Sequence, residues 1–150
     1  MTKVPPNIHL TQNVNQKLQS CLTLFNPDKI AILVDENTLV QCLPKLTSFK
    51  GTPLIQIASG EKNKNIETCQ IIWQKLTDFN FTRKSLLVNL GGGVIGDMGG
   101  FVAATFKRGI SFINIPTTLL SQVDASIGGK LGVDFNEFKN HIGVFKDPDA

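Results

Sequence analysis

The sequence predicts an α/β domain built on a parallel sheet with helices on both faces. Apolar runs of strand length alternate along the chain with longer segments whose apolar residues recur at helical spacing, which is typical of a parallel sheet. The run Lys29–Val34 is apolar almost throughout, as expected of a strand that is covered on both sides. Eleven of the 13 glycines follow residue 90, so we expect any close backbone contact with a ligand in the last 60 residues.

Six elements are predicted before residue 80. Asp35 begins a turn with the character of a helix N-cap, and Pro27 and Pro44 end the helices that precede them. In chain order we predict a strand at Asn7–Leu10, a helix at Val14–Phe25, the strand Lys29–Val34, a short helix reaching Leu43, a strand at Leu54–Ala58 and a helix at Asn65–Phe79.

The second half of the chain continues the alternation. We predict a strand at Ser85–Leu90, a helix from the following glycines to Phe106, a strand at Ser111–Ile115, a helix at Thr117–Ala125 and an irregular tail beyond Lys130. No linker or repeat interrupts the chain, so we expect one domain over residues 1–150. The tail, which ends at Ala150, resembles a cut edge rather than a natural finish.

The composition excludes several classes of protein. With 41% hydrophobic and 18% charged residues and a mean hydropathy of +0.04, the chain is not intrinsically disordered. Its apolar stretches are interrupted well before the roughly 18 residues of a membrane span. The net charge of +3 is scattered, so we expect neither a nucleic-acid nor a membrane partner. Three cysteines without CxxC spacing indicate reduced, buried thiols and a cytoplasmic protein.

The segment Gly91–Gly96 (GGGVIG) matches the pattern G-x-G-x-x-G between a predicted strand and a predicted helix. In that context the glycines allow a tight turn, and the helix N-terminus favours the charge of a pyrophosphate. A turn that is needed only for packing is the alternative. The usual acid about 20 residues further on is missing, because that strand ends in Ile115-Pro116-Thr117. Asp35 could hold the ribose instead, or could simply cap a helix, so we predict a Rossmann-like nucleotide-binding domain of a non-standard kind.

Polar clusters follow the glycine turn within 35 residues. Asp97 would repel a phosphate unless it held a hydroxyl or a nearby loop, and Gly99-Gly100 indicate the close approach of another backbone. Lys107-Arg108, Asp124–Lys130 and Lys139-Asn140-His141 each favour an ordinary solvated turn when taken alone. Together they favour a site for an anionic substrate. His9 and His141 have no partner at metal-ligand spacing, so we predict no metal ligand in these 150 residues.

The run from Leu90 to Phe145, together with Ser59-Gly60-Glu61-Lys62-Asn63-Lys64 and Asp35-Glu36-Asn37, closely resembles the 3-dehydroquinate synthase family. The resemblance implies an N-terminal NAD-binding α/β domain, with a C-terminal helical metal-binding domain absent from this chain. It also implies a homodimer in the full-length enzyme. The zinc or cobalt of that enzyme would have its ligands beyond residue 150, so we expect the 150 residues alone to be inactive.

The resemblance also assigns candidate roles to residues. Arg108 would reach a substrate phosphate. In a dimer, this would be the phosphate of the substrate that the partner subunit binds. Phe138 departs from the family pattern, in which many members have glycine before the Lys-Asn pair. The implied cofactor-binding residues are Asp35, Asn37, Ser59, Gly60, Glu61, Lys62, Asn63, Lys64, Gly92, Gly93, Val94, Ile95, Gly96, Asp97, Thr117, Thr118, Lys130 and Lys139. The implied catalytic residues are Lys130, Asp124, Asn140 and Arg108.

The implied reaction converts 3-deoxy-arabino-heptulosonate 7-phosphate, a small sugar phosphate, to 3-dehydroquinate and phosphate. NAD would transiently oxidise a ring alcohol, and phosphate would then leave by elimination. The alternatives are another sugar-phosphate cyclase, a more distant iron-dependent alcohol dehydrogenase and a standalone NAD-binding module.

Overall fold

Four parallel strands form the central sheet. The computed structural model describes residues 4–150. The strands are β1 (Ile30–Asp35), β2 (Leu54–Ile57), β3 (Leu86–Gly91) and β4 (Ser111–Pro116), and their order across the sheet is β2-β1-β3-β4. Because all four run in the same direction, their carboxyl ends meet at one edge of the sheet, where open α/β folds bind their ligands.

Helices cover both faces of the sheet, as predicted. Alternate residues of β1 point to opposite sides: Leu33 packs with α3 (Ile66–Asp78) and α4 (Gly93–Thr105), whereas Val34 packs with α1 (Val14–Phe25). This burial on two sides is the reason why β1 and β3 are apolar at nearly every position. A short helix, α2 (Glu36–Gln41), follows β1 directly and ends two residues earlier than we predicted.

The predicted irregular tail is wrong, because residues 130–145 form an antiparallel hairpin. Its strands are β5 (Lys130–Phe135) and β6 (Phe138–Phe145), and they form a sheet separate from the parallel one. Leu131 and Val133 are buried against α4 in the same core as α3. One face of β5 therefore fixes the hairpin to the helix that starts at the glycine turn.

Two further predictions near the chain's loops need correction. Asn7–Leu10 forms no strand, because the Ile8 N–H donates to the Pro5 carbonyl at 2.9 Å in a turn. The helix predicted at Thr117–Ala125 is a shorter helical segment that includes one π-helical turn at Ser121–Ala125. The Ser126 N–H donates to the carbonyl of Ser121, five residues earlier, at 3.0 Å, which is the bond that defines a π-helix.

The adjacent glycines Gly99 and Gly100 inside α4 are explained by side chains rather than by another backbone. A Cβ on Gly99 would lie 2.0 Å from Oδ1 of Asn89, and one on Gly100 would lie 2.4 Å from Cδ2 of Leu131. Glycine thus lets β3 and β5 approach the helix. Asn89 is buried and donates from Nδ2 to Oδ1 of Asn114 at 3.0 Å.

Cys21 and Cys69 are buried free thiols, as expected, whereas Cys42 is only half-buried. Burial raises the pKa of the Cys69 thiol to about 12. None of the helices in residues 4–150 combines the length and the apolar character that crossing a membrane requires.

Candidate cofactor and substrate site

The glycine turn joins β3 to α4 at the carboxyl edge of the sheet. Gly92 is the N-cap of α4, and within the described residues no side chain caps this helix. A Cβ on Gly92 or Gly93 would meet its nearest neighbour, from Thr118 or Ala125, at 3.4 Å, so the backbone of the first turn is unobstructed. The free N–H groups and the helix dipole at such a start favour an anion.

The turn itself depends on Gly91. A Cβ there would lie 2.5 Å from the Ile95 side chain, which occupies the core beneath the turn. The Gly91 carbonyl accepts the Thr117 N–H at 3.0 Å, and Oγ1 of Thr118 lies 2.8 Å from Oγ of Ser121. The loop after β4 is therefore held beside the start of α4.

A buried lysine connects this turn to two other segments. Nζ of Lys64 lies 2.7 Å from Oδ2 of Asp97, on the first turns of α4, and 2.7 Å from Oδ1 of Asn140, on β6. Lys64 is 4% exposed. Burial raises the pKa of the Asp97 carboxyl, and the hydrogen bond and charge of Lys64 oppose that rise. The role of Asp97 in holding a nearby loop, one of the two that its position suggested, is thus present in the structure.

The loop at 59–64 is anchored to the start of α2. The Ser59 N–H and hydroxyl both donate to the Glu36 carboxylate, and these bonds lower the pKa of Glu36. Asp35 caps α2 by accepting the N–H groups of Asn37 and Thr38 at 2.9 and 2.8 Å. Both bonds use Oδ1 of Asp35, so the cap is compatible with a ligand at Oδ2.

A cleft of about 540 Å³ lies between α4, the π-helical turn and the hairpin. It brings together four of the candidate residues: Asp97, Asp124, Lys130 and Asn140. Lys130 is exposed at the start of β5, so its ammonium can meet a ligand without breaking an internal contact.

Comparison with known proteins identifies the family. The model of the 3-dehydroquinate synthase N-terminal domain matches residues 54–150. The chain belongs to the 3-dehydroquinate synthase family. It is 45% identical over 142 residues to 3-dehydroquinate synthase from Parabacteroides distasonis and 50% identical over 133 residues to that from Pyrococcus abyssi. These alignments cover 93% and 87% of this chain but 40% of each relative, so the chain spans about two fifths of their length.

Solved structures agree with this fold. The chain is 25% identical to a 2-deoxy-scyllo-inosose synthase complexed with carbaglucose-6-phosphate, NAD+ and Co2+, with a TM-score of 0.76 over 87% of this chain and 38% of that one. A 2-epi-5-epi-valiolone synthase from Streptomyces hygroscopicus, with NAD+ and Zn2+ bound, gives a TM-score of 0.79 at 23% identity. That alignment covers 99% of this chain and 44% of the other, and it shows the fold alone.

Most residues to which the 3-dehydroquinate synthase resemblance assigned a cofactor role lie at the carboxyl edge of the sheet. Ile95 differs from the others, because its side chain is buried in the core and only its backbone could contact a cofactor. Lys62 and Lys139 are exposed, and Asn63 holds its own loop by donating to the Ser59 carbonyl at 2.6 Å.

Arg108 is not brought to the cleft. It follows the C-terminal end of α4, and the 13 residues of that helix are about 20 Å long, so Arg108 lies at the opposite end from the glycine turn. The sequence analysis grouped Arg108 with the other polar residues that follow the glycine turn, but the length of α4 separates Arg108 from them. Asp134, which no motif marked, lies beside Lys64 and Asn140; the alternation of Leu131, Val133 and Phe135 was the signal that could have revealed its strand.

The glycine turn of this chain fits the pyrophosphate of a dinucleotide, whereas the described residues offer no cluster of ligands for a metal ion. The unobstructed, uncapped start of α4 suits a pyrophosphate. Within residues 4–150 no group of three or more His, Cys, Asp or Glu side chains could hold a metal ion.

Proposed function

We propose that this domain binds NAD at the glycine turn and forms one wall of the active site of a 3-dehydroquinate synthase. The observation that supports this most directly is the uncapped start of α4 at Gly92 and Gly93, beside the buried contacts of Lys64. Two comparisons support the same cofactor: the chain belongs to the 3-dehydroquinate synthase family, and the similar 2-deoxy-scyllo-inosose synthase structure contains NAD+.

In this proposal the backbone of the first turn of α4 binds the pyrophosphate. Asp35 holds a ribose hydroxyl through Oδ2, and the 59–64 loop closes over the adenosine side, anchored by the bond between Ser59 and Glu36. Thr117 and Thr118 lie next to the turn and face the nicotinamide half. Lys64 keeps α4, its own loop and β6 at fixed separation, so these groups are in place before the cofactor arrives.

The substrate would occupy the cleft beside Lys130, Asp124 and Asn140. We propose 3-deoxy-arabino-heptulosonate 7-phosphate, whose carboxylate and phosphate suit a free ammonium such as Lys130. NAD, held by the residues of the glycine turn, would supply reversible hydride transfer at a hydroxyl-bearing carbon of the substrate. Asp124 and Asn140 orient the reacting hydroxyl groups, and the ammonium of Lys64, which is paired with Asp97, offsets the charge of that carboxylate.

The remaining parts of the enzyme are also proposals. The chain spans two fifths of its relatives, and we propose that the metal-binding domain lies in the remainder. Arg108, remote from the cleft of its own chain, would act on the site of a partner subunit in a homodimer. Free thiols at all three cysteines support a cytoplasmic location.

Calorimetric titration of the 150-residue chain with NAD tests the cofactor site. We expect binding by the unmodified chain and at least a tenfold weaker affinity for Gly93→Val, because a branched side chain would stand where the pyrophosphate approaches. A tenfold weaker affinity corresponds to a loss of about 1.4 kcal/mol in binding free energy. Thermal unfolding of this variant is the control, since a Cβ at Gly93 meets only Ala125, at 3.4 Å. Absence of NAD binding by the unmodified chain, or equal binding by a folded Gly93→Val variant, would refute the proposal.

A second titration tests the substrate. With NAD saturating, we expect the heptulosonate phosphate to bind and Lys130→Met to weaken it, whereas Lys75→Met should not, because Lys75 is exposed on α3, away from the cleft. Equal affinities for the two variants would exclude Lys130 as a substrate contact.

A further inference from the structure

The β5–β6 hairpin is irregular at the point where it meets the site. From Lys130↔Phe145 to Val133↔Ile142 the strands keep one register, but Phe135 pairs with Phe138. The single residue Asp134 is therefore opposite three residues of β6: Lys139, Asn140 and His141. A bulge of this kind bends its strand and redirects side chains, and bulges are frequent next to active sites.

Asp134 supplies the bonds that the bulge would otherwise lack. Its Oδ1 accepts the N–H of Asn140 at 2.8 Å, and its own N–H donates to the carbonyl of Lys64 at 2.9 Å. Asn140 has a φ of 50°, in the left-handed region that residues other than glycine uncommonly occupy. The carboxylate of Asp134 thus bonds the residue of the bulge that has a left-handed backbone conformation.

Asp134 is joined to both partners of the contact between Lys64 and Asn140. Lys64 is held through its main chain, Asn140 through its main chain, and their side chains then meet at 2.7 Å. Without the bulge, the register of the rest of the hairpin would continue and would pair Asn140 with Phe135. A slip of that kind moves side chains away from the positions they now occupy.

We propose that Asp134 is a positioning residue of this site: it holds the bulge that delivers the Asn140 side chain to Lys64, and through it sets the geometry of the cofactor side of the cleft. This inference rests on the proposed NAD-binding function for its functional part. Its structural part, the bond between Asp134 and Asn140, stands on the hairpin alone.

The test compares three variants of the 150-residue chain by amide hydrogen exchange at Asn140, followed by NMR, and by NAD titration. Asp134→Ala removes the acceptor, Asp134→Asn keeps an acceptor oxygen without the charge, and Glu137→Ala removes an exposed carboxylate from the same hairpin. We expect Asp134→Ala to speed Asn140 exchange and to weaken NAD binding, each about tenfold, as for loss of one hydrogen bond to a charged group. Asp134→Asn should restore most of both, and Glu137→Ala should change neither.

Several outcomes would overturn the inference. Unchanged protection of the Asn140 amide in Asp134→Ala would show that the bulge does not depend on this carboxylate. Unchanged NAD affinity with lost protection would make Asp134 a turn residue without influence on the site. An Asp134→Asn variant as impaired as Asp134→Ala would refute the acceptor role. If the unmodified chain bound no NAD, the proposed function would fail, and amide exchange would still decide whether Asp134 holds the bulge.

Discussion

Replacing Gly99 with alanine should destabilise the domain, although alanine is the better helix former. The new Cβ would lie 2.0 Å from Oδ1, 2.5 Å from Cγ and 2.9 Å from Nδ2 of Asn89. Asn89 has little room to move, because it is 1% exposed on a central strand and donates to Asn114. The new Cβ therefore overpacks the space between α4 and the sheet, and the Asn89 amide must also turn and lose its bond to Asn114.

The expected magnitude follows from three effects. Overpacking a core costs about 1–3 kcal/mol, and the lost hydrogen bond costs about 1 kcal/mol. Helix propensity returns about 1 kcal/mol. We therefore expect unfolding to be easier by about 2 kcal/mol, which for a domain of this length lowers the melting temperature by about 4–8 °C.

The assay is urea and thermal unfolding of Gly99→Ala in two backgrounds, without ligand. In the Asn89→Ala background the obstructing side chain is gone, so the same change at Gly99 should become neutral or stabilising. Gly96→Ala is the matched control on the same helix, because its Cβ would have only Nδ2 of Asn114 at 4.0 Å. Equal destabilisation by Gly99→Ala in both backgrounds, or an equal cost at Gly96, would refute the explanation by contact with Asn89.

Two other predictions concern ionisable groups. Hydrogen bonds from Thr82 and Ser85 lower the pKa of Asp28 below its ordinary 3.8, so the stability that Asp28 contributes should be present above about pH 4 and disappear as the pH falls through the lowered value. Urea unfolding of Asp28→Asn against the unmodified chain between pH 7 and pH 2 checks this, and a constant difference would contradict it. The Cys69 thiol, with a pKa of about 12, should resist a thiol reagent at pH 8 until the protein unfolds, whereas half-buried Cys42 should react in the native state. Mass spectrometry after brief labelling locates the modified residue, and early labelling of Cys69 would show that its burial is transient.

The parallel sheet could be predicted because its signals are local. Asn13 caps α1 and Pro27 follows its end, so the predicted helix Val14–Phe25 agrees with the structure at both ends. The buried strands can be recognised in the sequence as continuous apolar runs. β6 gives no such signal, since it is exposed at nearly every position and has no buried face to impose alternation.

The site also has one part that local sequence predicts and one part that it does not. The glycine turn could be predicted, because strand, glycines and helix start are contiguous. The partners of Lys64 could not, because Asp97 and Asn140 lie 33 and 76 residues further along the chain and nothing local marks their contact. The grouping of Arg108 with the cleft was wrong for the opposite reason: Arg108 is close to the glycine turn in sequence but remote from it in space.

The two bonds of Lys64 also have a consequence for how the site is assembled. They close loops of 33 and 76 residues, whose chain entropy must be lost before either bond forms. A partly folded chain, in which the hairpin or the 59–64 loop is still detached, therefore contains the glycine turn but not the site. A ligand that contacts all three segments binds only the closed form and opposes the opening of each. Saturating ligand should consequently merge the separate fluctuations of loop, helix start and hairpin into one cooperative opening, visible as a common hydrogen-exchange rate.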